Sequence, residues 1–153
     1  MHKVLFVCHG NICRSPMAEF VFKDMLEKAG LAHLAHVDSA GVSSEEYGNP
    51  VYPPVRRLLS AHGISCAGKH ARTMTRADYD HYDLLVGMER GNLLRMQRIC
   101  GGDPEGKLKL LLDYTDRPGD IADPWYMGNF DQTWKDVNEG CEGLLRALFP
   151  KYR

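Results

Sequence analysis

Two hydrophobic periods alternate along this chain. Val4-Leu-Phe-Val7 is a short unbroken apolar run, as expected for a strand buried on both faces. After a turn containing Gly10, the apolar positions Ala18, Val21, Phe22, Met25, Leu26 and Ala29 recur at helical spacing. Ser15 is placed to cap that helix, Pro16 to open it at the first helical position, and Gly30 to stop it. The same reading predicts strands near 34–39, 83–88 and 108–112, and helices near 51–62, 89–100 and 131–149. Trp134, Val137, Cys141, Leu144, Leu145 and Leu148 fall on one face of the last helix. Strands alternating with helices imply an α/β fold with a mostly parallel sheet covered on both faces. Residues 113–130 carry neither period, and structureless loops longer than about 12–15 residues are usually functional or disordered. Trp125 and Tyr126 within that stretch argue against simple disorder.

Composition narrows the function classes. With 153 residues, 44% of them hydrophobic and 25% charged, the chain suits one soluble domain spanning 1–153. Nineteen basic and twenty acidic side chains leave a formal charge of -1, so no global field draws it to nucleic acid or an anionic membrane. Any anion has to be bound locally. The first apolar stretch is too short for a signal-peptide core, and no run reaches the ~20 apolar residues of a membrane span. Cysteines 8, 13, 66, 100 and 141 are odd in number and form no Cys-x-x-Cys blocks. A metal centre is therefore not expected, and a reducing, cytoplasmic location is.

The chemistry gathers between the first strand and the first helix. Cys8-His-Gly-Asn-Ile-Cys-Arg14-Ser15 sets a thiol and a guanidinium at the two ends of a loop. If the loop curls, the backbone N–H groups of His9, Gly10, Asn11, Ile12, Cys13 and Arg14 make a nest for an oxyanion, reinforced by the positive end of the helix. Gly10 and Asn11 tolerate the positive φ that a tight curl demands. Arg14 offers a planar fork for two phosphate oxygens, which lysine cannot match. The same field favours the thiolate of Cys8, where an ordinary thiol is only a few per cent ionised at neutral pH. The Cys-x5-Arg pattern occurs again at Cys66-Ala-Gly-Lys-His-Ala-Arg72-Thr73. That copy follows a helix that stops at Gly63 and precedes no long amphipathic helix, so it is read as coincidence. Without its neighbours, Cys8 would read as a small buried residue at a strand end.

The run Cys8-His-Gly-Asn-Ile-Cys-Arg-Ser-Pro-Met-Ala-Glu19 resembles the signature of the low-molecular-weight protein tyrosine phosphatases, and Asp123-Pro-Trp-Tyr126 resembles their acid loop. Val37-Asp-Ser-Ala-Gly41 and Tyr82-Asp-Leu-Leu-Val-Gly-Met88 extend the likeness over nearly the whole chain. The resemblance implies a three-layer, flavodoxin-like fold with strand order 2-1-3-4. It also implies hydrolysis of phosphotyrosine in two steps without metal or cofactor. Cys8 would form a phosphocysteine, Arg14 would follow the charge on the equatorial oxygens, and Asp123 would act as acid and then base. Residues matching Asn11, Ser15 and Ser39 would support the loop. Asp113, Asp116 and Asp120 are alternative acids; Asp123 is preferred because Pro124 stiffens the turn and Trp125 and Tyr126 can shield the carboxyl. Ile12, Tyr47, Trp125 and Tyr126 would form the substrate rim. The implied partners are phosphotyrosyl proteins, with a tyrosine kinase as counterpart, and the expected state is a monomer.

The departures matter as much. Many relatives carry a His two places before an Ala-Arg pair; here Lys69 holds that place, and His70 directly precedes Ala71-Arg72. No bracing role is carried over to His70. The stretch Ser43-Ser-Glu-Glu-Tyr47 lacks the early aromatic of some relatives. Arsenate reduction on this fold needs two more cysteines a few residues apart, whereas Cys66, Cys100 and Cys141 lie more than thirty residues from one another. Arginine phosphatases carry Thr where this chain has Ile12, whose apolar bulk favours a flat aromatic substrate. A non-enzymatic phosphate sensor is the alternative of another class. Cys13, five residues from Cys8, is the candidate redox partner of the nucleophile, with simple packing as its rival role.

Overall fold

The computed structural model describes residues 1–151, apart from the side chains of Tyr126 and Met127. Strands β1 (His2–Cys8), β2 (Ala35–Gly41), β3 (Leu84–Gly87) and β4 (Leu108–Leu110) form one parallel sheet in the order β2-β1-β3-β4. The unbroken apolar run is the inner strand β1, and Val4 to Val7 are fully buried. Its two-residue alternation divides the core. Val4, Phe6 and Cys8 pack in a cluster that includes residues of α1 (Arg14–Lys28), α2 (Pro53–Ala61) and α6 (Phe130–Leu148). Leu5 and Val7 pack with Tyr79, Met96 and Cys100 from α3 (Arg76–His81) and α4 (Arg90–Cys100). Helices thus cover both faces, in the strand order expected.

Several boundaries differ from the sequence reading for local reasons. Helix α1 starts at Arg14, with Cys13 at the cap position, so Pro16 is its third residue rather than its first. Pro16 is tolerated there because the first four helical N–H groups have no intrahelical partner. Ser15 does not cap the helix, because its hydroxyl is engaged by Cys8 and Asn11. Gly30 stops α1 as expected, at φ 72°, with Gly30 N–H donating to Glu27 O and Leu31 N–H to Leu26 O. Helix α3 was not expected, although Thr75 and Asp78 form a reciprocal capping box at its start. The long connection contains a 3₁₀ turn at Leu111–Tyr114 and a short helix, α5 (Pro124–Met127). Asp123 caps α5, Pro124 opens it, and Gly128 closes it at φ 71°.

Helix α6 approaches the 3₁₀ turn closely because Gly140 and Gly143 face Leu111 and Tyr114, where a Cβ would collide. This packing fixes the start of the acid loop. Strands β1 and β3 are sheet neighbours whose connections diverge, so a crevice opens at their carboxyl ends, where ligands bind in open α/β sheets. Cys8 ends β1 on one side of it, and Glu89 follows β3 on the other. Among the described residues no helix is long and apolar enough to cross a membrane.

Candidate active site

Residues 8–14 curl as the sequence suggests. The carbonyls of Cys8, His9, Ile12 and Cys13 accept from the N–H groups of Val42, Ser43, Tyr52 and Met17 at 2.9–3.1 Å. Of the amides of residues 9–13, only that of Asn11 has a described protein partner, and it donates to Cys8 Sγ at 3.3 Å. The others are available to an anion. Asn11 makes the turn at φ 62°, the left-handed region that Asn tolerates, and is 1% exposed. Gly41, at the end of β2, admits the loop: a Cβ there would lie 2.7 Å from His9 O and 3.1 Å from the Gly10 carbonyl carbon.

The three expected supporting residues meet beneath the sulfur. Ser15 Oγ lies 2.9 Å from Cys8 Sγ, and Asn11 Nδ2 donates to both Ser15 Oγ and Ser39 Oγ at 2.9 Å. The second Cys-x5-Arg copy contributes differently from the first. The Arg72 guanidinium pairs with Asp78 and Asp38, while its backbone N–H donates to Asn11 Oδ1 at 3.0 Å. It braces the cradle from outside, and its guanidinium is engaged by carboxylates.

Arg14, at 1% exposure, is the largest polar side chain buried in the structure. Its Nη1 donates to Ile121 O at 2.9 Å and to Glu89 Oε2 at 3.1 Å, and its Nη2 lies 3.4 Å from Asp123 Oδ2. Three tethers hold the acid loop over this guanidinium: the Arg14–Ile121 bond, Ile121 N–H on Met88 O at 2.8 Å, and Asp120 Oδ1 accepting from Arg90 N–H at 2.9 Å. Of the four candidate acids, Asp123 alone faces Arg14 among the described residues. Asp120 caps α4, Asp113 accepts from Leu110 N–H, and Asp116 is exposed. Glu89 was missed by the sequence reading, since nothing near it in the chain marks it as a partner of Arg14.

Burial, and then the negative charges of Cys8 and Asp123, push the Cys13 thiol up to about 12 against the opposing pull of Arg14. Cys13 is a protonated thiol at neutral pH. All five cysteines are free and buried.

The cavity above the cradle is walled by Ile12, Asp123 and the half-exposed Trp125, and also by Glu45 and Glu46, which were not anticipated. Tyr47, expected on the rim, is 70% exposed and does not line the cavity. A turn in which Tyr47 N–H donates to Ser44 O sets its neighbours Glu45 and Glu46 there instead. The Tyr126 side chain lies outside the described residues. The His70 ring meets Gly68 O, whereas Lys69 reaches into the support beneath the cradle.

Comparison with known proteins agrees with this geometry. Residues 3–152 match the family described as low molecular weight phosphotyrosine protein phosphatase. The low molecular weight protein-tyrosine-phosphatase YfkJ of Bacillus subtilis is 39% identical over 150 residues, covering 97% of this chain and 96% of that protein. Its crystal structure superposes with a TM-score of 0.95 at 37% identity, over 100% of this chain and 98% of that one. The low molecular weight protein tyrosine phosphatase of Streptococcus pyogenes gives a TM-score of 0.88 at 33% identity, over 97% and 94% of the two chains. A Drosophila arginine phosphatase gives 0.88 at 32% identity, over 96% and 98%. A likeness of this identity across the full sheet, cradle and acid loop makes the chain a member of the low molecular weight phosphotyrosine protein phosphatase family.

Proposed function

We propose that this enzyme hydrolyses phosphotyrosine in proteins through a phosphocysteine on Cys8, with Asp123 as general acid and base. The observation that carries the reading is the placement of Cys8 Sγ under a ring of free amides, with Arg14 and Asp123 opposite. The thiolate attacks phosphorus, so a P–S bond forms as the bond to the phenolic oxygen breaks, and Asp123 gives that oxygen its proton. Water then attacks the phosphocysteine, Asp123 takes a proton from it, and the P–S electrons return to sulfur with release of inorganic phosphate. Arg14, already aimed across the mouth, exchanges its contact with Asp123 for the equatorial oxygens.

Ile12 and Trp125 supply apolar walls for a flat ring. Glu45 and Glu46 support a second reading, since two carboxylates at the mouth suit a guanidinium, and the Drosophila arginine phosphatase shares the fold. The test is turnover of one peptide carrying phosphotyrosine, phosphoarginine or phosphoserine. We expect phosphotyrosine to lead, with kcat/KM about 100-fold above phosphoserine, because the short seryl stem leaves the apolar walls uncovered. Faster turnover of phosphoarginine would replace the tyrosine reading. The partners on this reading are phosphotyrosyl proteins and the kinases that make them, met by a monomer in the cytoplasm.

On the same reading Cys13 protects the nucleophile. Peroxide converts the Cys8 thiolate to a sulfenic acid, and Cys13 displaces water from it to close a disulfide that added thiol reopens. Oxidation removes the Cys8 charge that helps hold Cys13 protonated, which favours the attacking thiolate. Since Cys13 titrates far above neutrality, disulfide formation should quicken as pH rises through 7 to 9. After peroxide and then dithiothreitol, Cys13→Ala is expected to regain only a minor fraction of the activity that the parent regains. Equal recovery would remove the protective role.

A further inference from the structure

Beneath the cradle lies a charged cluster for which the sequence reading assigned no role. The Lys69 side chain is 9% exposed and its Nζ contacts three acceptors: Ser39 O at 2.8 Å, Asp38 Oδ1 at 2.9 Å and Glu19 Oε1 at 3.2 Å. Glu19, on α1, is 2% exposed and also meets Lys23 Nζ at 2.6 Å. Arg72 pairs with the second oxygen of Asp38. Burial alone would raise the Asp38 carboxyl, but the hydrogen bond and charge of Lys69, with Ser39 N–H and Arg72, hold it below the usual carboxylate range. The charged groups facing Lys69 are thus Glu19 and Lys23 from α1, Asp38 from β2, and Arg72 from its own segment.

Hydrogen-bond direction can be followed from this cluster to the nucleophile. Arg72 N–H can only donate, so it fixes Asn11 with Oδ1 toward Arg72 and Nδ2 toward the two serines. A carboxylate only accepts, so Ser39 Oγ gives its hydrogen to Glu19 Oε1 at 2.6 Å. The Ser39 oxygen is then left as acceptor for Asn11 Nδ2, whose second hydrogen goes to Ser15 Oγ. Ser15 accepts from Asn11 and keeps its own hydrogen for Cys8 Sγ at 2.9 Å, a closer partner than Ala40 O at 3.4 Å. Ser39 thus donates toward Glu19, Asn11 donates to both serines, and Ser15 donates to the sulfur.

We propose that Lys69 and Glu19 are positioning residues of the cradle: Lys69 helps hold Glu19 as a pure acceptor, and Glu19 takes the Ser39 hydrogen, so that Ser39 Oγ is left to anchor Asn11 and, through it, Ser15 beneath the Cys8 sulfur. The proposal rests on the phosphatase reading only for its effect on turnover. Its effect on the sulfur stands apart and can be read without any phosphate ester.

The experiment follows alkylation of Cys8 by iodoacetate from pH 4 to 9, reading thiolate directly; Cys13, protonated throughout this range, contributes little. In Lys69→Met the rate at pH 6 is expected to fall about tenfold, the worth of one hydrogen bond to a charged group, with the profile displaced to higher pH. Lys69→Arg should retain the parent profile. Because Lys69→Met leaves the buried Glu19 with Lys23 alone as counter-ion, the double variant Glu19→Gln with Lys69→Met removes both charges. It should melt near the parent temperature yet keep the displaced profile, which a merely structural role would not produce. A folded neutral variant with the parent profile overturns the proposal. So does failure of both neutral variants to fold while Lys69→Arg is unaffected, which would make the cluster a stability element alone. Loss of turnover on phosphotyrosine in the parent, with the alkylation shift intact, would sink the phosphatase reading and leave this inference standing.

Discussion

Replacing Cys8 by serine is expected to lower kcat/KM on phosphotyrosine by about 10⁴-fold or more, the scale seen when a covalent nucleophile is removed, while inorganic phosphate still binds. The hydroxyl occupies nearly the same space at a site that is 3% exposed, so the core around β1 is undisturbed. Apart from the Asn11 N–H, which meets Cys8 Sγ and can meet the serine oxygen instead, the cradle is held from outside by its carbonyls and by Gly41. What changes is charge. An alcohol stays protonated where a thiolate is stabilised, so the nucleophile is lost and one repulsion against the phosphate dianion is lost with it. Phosphate affinity should therefore be equal to the parent's or tighter. Isothermal titration with inorganic phosphate and a turnover assay on the same preparation separate the two effects. Residual turnover above about a hundredth of the parent rate would mean that another group attacks phosphorus. A parent enzyme that binds phosphate without turning over any ester would favour the sensor reading instead.

How much of this site could be seen in the chain depended on whether its parts are neighbours in sequence. Cys8, Asn11, Arg14 and Ser15 lie within one strand–loop–helix unit, so spacing, φ tolerance and the helix end together located the cradle. Asp123 was preferred because Pro124 stiffens the turn and Trp125 and Tyr126 can shield the carboxyl, while the one-turn helix that Asp123 caps was overlooked. Ser15 shows the opposite failure. A serine beside a proline satisfies the local capping rule, and only the fold reveals that its hydroxyl faces the sulfur. Glu89 meets Arg14 across 75 residues, and Lys69 meets Asp38 across 31, because parallel strands bring their carboxyl ends together. No periodicity encodes that meeting. Lys69 was noticed only as a departure from a familial histidine, and its contacts with Ser39, Asp38 and Glu19 are visible only in the fold. The Cys66–Arg72 pattern was read as coincidence, yet Arg72 reaches the Cys8 loop through a backbone N–H that any non-proline residue carries.

Replacing Asp123 by asparagine is expected to cut kcat on phosphotyrosine by about 10²–10⁴-fold, the usual worth of a positioned general acid. Asparagine is the informative substitution because its side-chain oxygen can still accept from Trp125 N–H, the 3.0 Å bond that starts α5. Alanine would also remove that cap, at about 1 kcal/mol, and confuse chemistry with loop order. The 3.4 Å approach to Arg14 is weakened in either variant, so phosphate binding should not suffer. The leaving group supplies the decisive contrast. A tyrosine phenolate departs poorly without a proton, whereas p-nitrophenolate needs little help, so the loss in the first step should be much smaller for p-nitrophenyl phosphate. The second step still lacks its base on either substrate. The variant should therefore release a burst of p-nitrophenol and accumulate phosphocysteine, visible as an added phosphate on the intact protein after acid quench. A loss under tenfold with no burst would exclude Asp123 as the proton donor. Asp120 is no ready substitute, since it is committed to Arg90 N–H at the start of α4. A carboxyl that both caps a turn and faces the phosphate clamp thus ties the order of the acid loop to the state of the cradle, through Arg14 and Ile121.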